Sequence, residues 1–443
     1  MKFFLGMLFS KFYYKFFEKN KKSDRMGMVA LTFDSDFLYH IAKPNLVIAV
    51  TGTNGKTTTC NILNDIFTKA GFKVAFNSDG CNYRPGLSKA LILNTSLFNK
   101  AKADVAILEF DELHTKDLMT AVKPDIICCT NLSMDTMGRN AHTDYVFSKI
   151  EEGIPKNAKL ILNSDDLISS QLGKDNKRFF FSIQQQKNEK SKSLSINSYI
   201  KLCPNCLNDL TFDFIRYNNI GRAHCENCGF TNEKSSYTVT EIKDNYMFVN
   251  NKKYKIINDA IFNIYNQLAA IAIACECGIE NLDIYFEKME IVESRYRTEI
   301  INNINLVLQM TKGQNSASLS RAFNYVSNLK GKKNIIIIVD DLYDAKATDR
   351  SEVISYIYDT DYECLNKDDI NKILIAGVRH ADYKVRLLFA GIPEEKIVSL
   401  EKEINVVDYL DEDVETIGFI YDIYQHKNAR LIIDRIREKI IWL

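Results

Sequence analysis

The residues with the clearest chemistry are Gly52-Thr53-Asn54-Gly55-Lys56-Thr57-Thr58, which follow the apolar run Leu46-Val47-Ile48-Ala49-Val50. Five aliphatic residues in a row describe a buried parallel strand. The pattern predicts a helix from Thr58 to about Ala70, so the order is strand, glycine-rich loop, helix. That order builds a nucleotide-phosphate site. Gly52 and Gly55 let backbone N–H groups approach phosphate oxygens with no Cβ in the way. Lys56 supplies a positive charge for the outer phosphates, and the Thr57 hydroxyl is a Mg²⁺ ligand candidate. The expected cofactors are therefore ATP and Mg²⁺.

A second constellation is Cys203-Pro204-Asn205-Cys206 and Cys225-Glu226-Asn227-Cys228-Gly229, with 18 residues between the pairs. This spacing matches a four-cysteine zinc ribbon over about residues 200–232. Four thiolates close the coordination sphere, so the Zn²⁺ is expected to be structural. Gly229 supplies the permissive backbone that a tight turn after the second pair needs. His224 adjoins a ligand but is redundant with it.

These groups need a scaffold. The runs Lys73–Phe76, Val105–Leu108, Ile126–Cys129 and Leu160–Leu162 are strands alternating with helices, and most end in polar or acidic residues such as Glu109-Phe110-Asp111-Glu112. In an open parallel sheet those carboxyl ends line the ligand crevice. Residues 45–300 are therefore expected to form a doubly wound α/β ATP-binding domain carrying the ribbon as an insertion. A smaller Rossmann-like α/β domain is expected over 301–443. Its strands are Asn334–Val339, Ile373–Gly377 and Ile417–Tyr421, with helices from about Ala381 to Ala390 and from about Ala429.

The composition fits this plan. At 443 residues the chain exceeds one core, and 46% hydrophobic with 26% charged residues describes a folded domain protein. Zero formal charge gives no general attraction to nucleic acid. Eleven cysteines with no secretion signal point to a reducing cytoplasm. Residues 1–44 form a basic, aromatic helical segment. Lys11 and Lys15 interrupt any membrane span, and no small-residue cleavage site follows. Two readings stay open for it: a helix packed on the ATP-binding domain, or an interfacial helix in peripheral contact with the inner membrane face.

The phosphate loop, with Glu109 at a strand end, Asn263-Ile264-Tyr265-Asn266-Gln267-Leu268-Ala269-Ala270 and Arg297-Thr298-Glu299, resembles the Mur ligase superfamily. The ribbon, Ser355–Glu363 and Ala376–Gly391 are similar to its MurT branch, the ligase-like subunit of lipid II isoglutaminyl synthase. The resemblance implies that Glu109 holds a second Mg²⁺ and that Asn263, Asn266 and Arg297 serve the nucleotide. Asn263 and Asn266 have an alternative as helix-start residues. The resemblance further implies an acyl phosphate on the D-glutamate α-carboxylate of the lipid II stem peptide, attacked by ammonia. The ammonia would come from a class I glutamine amidotransferase partner, GatD-like, in a heterodimer. Asp349 is the candidate for the catalytic Asp that receives ammonia, although an alignment without the local insertion puts Val353 there. Lys149 lies near where some Mur ligases carry a carbamylated lysine, with a surface role as its alternative. Asp111 and Glu112 either touch metal or begin a solvated helix. Arg379 is a candidate substrate or partner contact. The competing functions are an amino-acid-adding Mur or folylpolyglutamate-type ligase and a non-catalytic binding homologue.

Overall fold

The computed structural model describes the chain except for residues 20–22, 78–80, 135–141, 188, 193–199, 288, 290–295, 312–314, 340–353, 423–425 and 443. Two sheets organise it. The first has nine strands: β1 (Leu46–Thr51), β2 (Val74–Phe76), β3 (Val105–Glu109), β4 (Ile126–Cys129), β5 (Lys159–Asn163), β6 (Lys177–Ile183), β9 (Tyr237–Lys243), β10 (Tyr246–Val249) and β11 (Lys252–Lys255). Their spatial order is β11-β10-β9-β6-β5-β4-β1-β3-β2. The pairs from β2 through β9 are parallel, and β9-β10-β11 is an antiparallel meander. A separate antiparallel hairpin, β7 (Thr211–Tyr217) and β8 (Ile220–His224), carries the cysteine-rich insertion.

Strand β1 lies at the centre because both of its faces are apolar. Ile48 and Val50 face one core with helices α4 (Lys56–Lys69) and α8 (Ile261–Glu276); Val47 and Ala49 face the other. Helix α4 buries Cys60, Leu63, Ile66 and Phe67, a helical stripe. It ends in a left-handed Gly71 (φ 92°), and the Phe72 amide donates to the Phe67 carbonyl at 3.0 Å. Helix α8 is buried over nearly its whole length, and its small Ala269, Ala270, Ala272 and Ala274 let neighbours approach on every side.

The opposite face takes in the N-terminal segment. Helices α1 (Lys2–Tyr13), α2 (Arg25–Phe33) and α3 (Phe37–His40) contribute Met7, Met26, Ala30, Phe37 and Leu38 to the same core as α5 (Arg84–Leu93), α6 (Thr115–Val122) and α7 (Thr143–Glu151). Gly6 permits close contact with α2: a Cβ there would sit 3.1 Å from the Ala30 carbonyl oxygen. Among the described residues, no helix is long and apolar enough to cross a membrane.

The second sheet has the order β12-β13-β17-β14-β15-β16. Its strands are β12 (Tyr296–Ile301), β13 (Ile304–Thr311), β14 (Lys333–Ile338), β15 (Ile370–Ala376), β16 (Ile397–Leu400) and β17 (Thr416–Asp422). Only β12–β13 is antiparallel. This sheet begins at Tyr296, so Arg297-Thr298-Glu299 lies in its edge strand. Helix α9 (Ser316–Ser327) leans toward the first unit: the Arg321 guanidinium lies 5.5 Å from the Tyr217 ring centroid and 5.7 Å from that of Phe262.

Candidate active site

The chain leaves β1 at the point where strand order reverses, with β3 on one side and β4 on the other. The loop there is fixed by the segment after β4. The Thr53 amide donates to the Asn131 carbonyl at 2.8 Å, and the Thr53 hydroxyl and Ser133 exchange two hydrogen bonds of 2.9 Å. The Thr130 hydroxyl and the Asn131 amide group both donate to the Asn54 carbonyl, at 2.6 and 2.9 Å. Gly52 (φ 124°) and Gly55 (φ 87°) occupy left-handed backbone where a side chain would also collide. A Cβ on Gly55 would lie 2.1 Å from Asn266 Oδ1. Asn266 is thereby packed on the loop, with Asn263 behind it donating to Asn258 Oδ1 at 2.9 Å. Both lie inside α8, after its N-cap Ala260, and neither caps it.

Lys56 opens α4. Its Nζ donates to the Gly52 carbonyl at 2.5 Å and to Glu112 Oε2 at 2.8 Å. Glu112 is buried, and so is Asp111, which accepts from the Leu113 amide and pairs with His114 Nδ1 at 2.8 Å. The pair does begin a helical turn, Glu112–His114 with Asp111 as its cap, but both carboxylates are buried and not solvated.

The Thr57 hydroxyl donates to Glu109 Oε2 at 2.8 Å. Two asparagines that the sequence reading missed hold Glu109. Asn77 accepts from its amide at 2.8 Å and donates to its carbonyl at 2.9 Å, and Asn82 donates to Oε1 at 3.1 Å. The only sequence signal for Asn77 is its position just after β2, a carboxyl end next to β3.

A buried polar network joins this loop to the cysteine-rich hairpin. Arg216 of β7 pairs with Asp165 Oδ2 at 3.1 Å and also bonds Glu189 and the Tyr265 hydroxyl. Tyr265, the neighbour of Asn266, donates to Asp165 Oδ2 at 2.6 Å. Asp166 accepts from the Leu132 amide at 2.7 Å and from Asn219 Nδ2 at 2.6 Å. Burial pushes the Asp165 carboxyl up, with Arg216 opposing, and pushes Asp166 up to about 6 against the hydrogen bonds it accepts.

The sulfurs of Cys203, Cys206, Cys225 and Cys228 all lie within 4.8 Å of one another. Each pair sits on a turn closed by a backbone bond of 2.9 Å, Leu207 to Cys203 and Gly229 to Cys225. Gly229 has φ 73°, as the tight turn required. The Asn205 amide points at the Cys203 sulfur at 3.4 Å. Four converging thiols with donors aimed at sulfur are a donor set that fits Zn²⁺. His224 pairs with Asp213 at 3.2 Å.

Other candidates stand apart. Arg297 is largely exposed on β12, and its ion-pair partner is Glu299 at 2.9 Å. Lys149 places its ammonium 5.2 Å from the centre of the Tyr145 ring. Arg379 sits between β15 and the helix His380–Phe389, 3.8 Å from Asp382. Asp349 and Val353 lie outside the described residues.

The loop fits a nucleotide phosphate group. Its glycines leave a cradle that a Cβ would fill, a lysine opens the helix, and a hydroxyl and a carboxylate converge as hard oxygen donors for Mg²⁺.

Comparison with known proteins places this geometry. The sequence profile of the Mur ligase middle domain matches residues 50–274, and that of the MurT ligase C-terminal region matches 313–425. The chain is 28% identical over 382 residues to the MurT subunit of lipid II isoglutaminyl synthase (glutamine-hydrolyzing) from Staphylococcus aureus (strain COL), covering 85% of each. It is 28% identical over 397 residues to the corresponding subunit from Streptococcus pneumoniae (strain ATCC BAA-255 / R6), covering 87% of each. Among solved structures, a pseudomurein peptide ligase type C from Methanothermus fervidus superposes with a TM-score of 0.67 at 21% identity, over 91% of this chain and 81% of that one. MurF from Acinetobacter baumannii gives 0.64 at 14% identity, over 93% and 80%.

Proposed function

This chain belongs to the Mur ligase family, and from that premise we propose that it amidates the D-glutamate α-carboxylate of the lipid II stem peptide in peptidoglycan synthesis. The observation that carries the reading is the match of residues 313–425 to the MurT C-terminal profile, in a chain whose phosphate loop has all its parts in place.

In this scheme ATP binds on the loop from Gly52 to Thr58. Loop amides and the α4 N-terminus hold its phosphates, and Lys56 exchanges its ion pair with Glu112 for phosphate oxygens. Thr57 and Glu109 would hold Mg²⁺, which would neutralise charge on the outer phosphates. A carboxylate oxygen attacks the γ-phosphorus and ADP leaves. Ammonia then attacks the carbonyl carbon, and phosphate departs with the former carboxylate oxygen. Asp349 is proposed to orient ammonia and take its surplus proton.

Ammonia needs an outside source in this scheme. A glutaminase nucleophile is a thiolate. Burial pushes the thiols of Cys60, Cys129 and Cys275 up, and those of Cys277 and Cys364 up to about 12. Cys60 and Cys129 are buried in the core, and Cys275, Cys277 and Cys364 pack partly buried against it, which supports a separate GatD-like amidotransferase subunit as the donor. The cysteine cluster is proposed to hold one structural Zn²⁺, and the compartment is proposed to be the cytoplasm.

The test supplies purified chain, ATP and lipid II with ammonium or with glutamine. Ammonium alone should support amidation, whereas glutamine should require the second protein. Amidation from glutamine by this chain alone would overturn the division of labour. Asp349→Asn in the complex should reduce amidation far more than glutamine hydrolysis.

A further inference from the structure

Helix α1 breaks the usual rule for a surface helix, which turns its polar side to water. Gly6, Met7 and Ser10 are buried against the domain. The opposite side carries Phe4, Leu5, Leu8, Phe9 and Phe12, and the π-helical turn Tyr14–Glu18 that continues α1 adds Phe16, making a row whose members are 39–59% exposed. Lone exposed apolar residues are ordinary; six on one face form a surface that water alone covers poorly.

The charged residues of this segment are mostly basic. Residues 1–19 carry Lys2, Lys11, Lys15 and Lys19, against a single acid, Glu18. Glu18 is buried, accepting from the Met26 amide at 2.7 Å and pairing with Lys89 at 3.3 Å. The loop from Thr95 to Ala101 abuts α1, because Lys11 Nζ donates to the Thr95 carbonyl. The tip of that loop exposes Leu97 and, at 85%, Phe98, followed by Lys100 and Lys102. Lys102 is near enough that its charge, after burial, helps to lower the pKa of Lys11.

We propose that α1, with the loop tip at Leu97-Phe98, binds the surface of an anionic phospholipid bilayer, the apolar row entering the headgroup boundary and the lysines meeting lipid phosphates. The complementary charge is what selects lipid over a second copy of this chain, whose α1 would bring the same cations face to face. No described helix is long enough to span a bilayer, so α1 lies along the surface. The inference does not depend on the ligase reading.

The experiment is flotation of the full-length protein with vesicles of equimolar phosphatidylglycerol and phosphatidylcholine, without ATP or lipid II. The protein should float with these vesicles, lose the association in high salt, and bind pure phosphatidylcholine at least tenfold less. The variant Leu8→Ser/Phe12→Ser/Phe16→Ser should lose at least tenfold in binding, and so should Lys15→Glu/Lys100→Glu/Lys102→Glu. In Phe12→Trp, the added fluorescence should shift to the blue on mixing with anionic vesicles. The proposal is overturned by no flotation with anionic vesicles, by triple variants that bind like the parent, or by an unshifted Phe12→Trp spectrum. It is equally overturned if the protein is a dimer in solution that the serine variant converts to monomer.

Discussion

Thr57 donates its hydroxyl to Glu109 across the gap between the phosphate loop and β3, at 2.8 Å. The other oxygen of the same carboxylate is held by Asn82 at 3.1 Å. One acid thus joins the loop to the neighbouring strand, and it does so where Mg²⁺ would bind. Thr57→Ala and Glu109→Gln should each reduce ATP turnover by about 10²-fold or more, the scale of losing one electrostatic partner of a transferring group. Because the two side chains are hydrogen-bonded to each other, the double variant should fall well short of the product of the two losses. Asn82→Ala, one shell further out, should raise the Mg²⁺ requirement by about tenfold. ADP release across a Mg²⁺ titration reads all three.

Gly55 and Asn266 leave no room for a Cβ between them. Gly55→Ala should cost about 1–2 kcal/mol from left-handed backbone alone, with a further loss from displacing Asn266. Adding Asn266→Ala should remove only that further part. Urea unfolding of the two single variants and the double variant gives the coupling; a fully additive double variant would contradict the contact.

Cys225→Ser should abolish zinc binding and loosen residues 203–228, because metal binding and local folding are one equilibrium. Elemental analysis should give one zinc per parent chain and none for the variant. Hydrogen exchange should rise in β7 and β8 and at Asp165, the residue to which Arg216 ties the hairpin.

The carboxyl of Asp166, normally near 3.8, is pushed up to about 6 by burial. A raised folded pKa means that the group favours folding most below about pH 4, and that this contribution is lost as pH rises through about 6. The full difference is on the order of 3 kcal/mol. The stability advantage of the parent over Asp166→Asn should therefore be larger at pH 4 than at pH 7. An advantage that grows with pH would contradict the burial argument.

The sequence showed most clearly the parts whose physics is local. The strand, loop and helix around Lys56 are contiguous, so their periodicity and glycines are visible in one short stretch. The cysteine spacing is equally local. The helix at 56–69 begins two residues earlier than the apolar pattern suggested, because Lys56 and Thr57 are helical without being core. The hairpins were missed although their turns are marked: Asp244-Asn245, Asn250-Asn251 and Asn302-Asn303 all take the paired left-handed conformation that joins adjacent strands. The third pair places Arg297 in a strand of the second sheet, whereas the expected boundary at residue 300 put it in the first domain. The clamp of Asn77 on Glu109 and the Arg216–Asp165–Tyr265 network were invisible for another reason. They join residues 32 to 100 positions apart, and no periodicity records such contacts.

The central claim is that a substrate carboxylate oxygen attacks the γ-phosphorus and that ammonia then displaces it as phosphate. The measurement is mass analysis of the inorganic phosphate released when lipid II carrying ¹⁸O in the D-glutamate α-carboxylate is turned over with ATP and ammonium. The account predicts one ¹⁸O in the phosphate for each carboxamide formed, and neither product with Lys56→Ala. Carboxamide formed with unlabelled phosphate, or labelled phosphate only when an amino acid replaces ammonium, would contradict it.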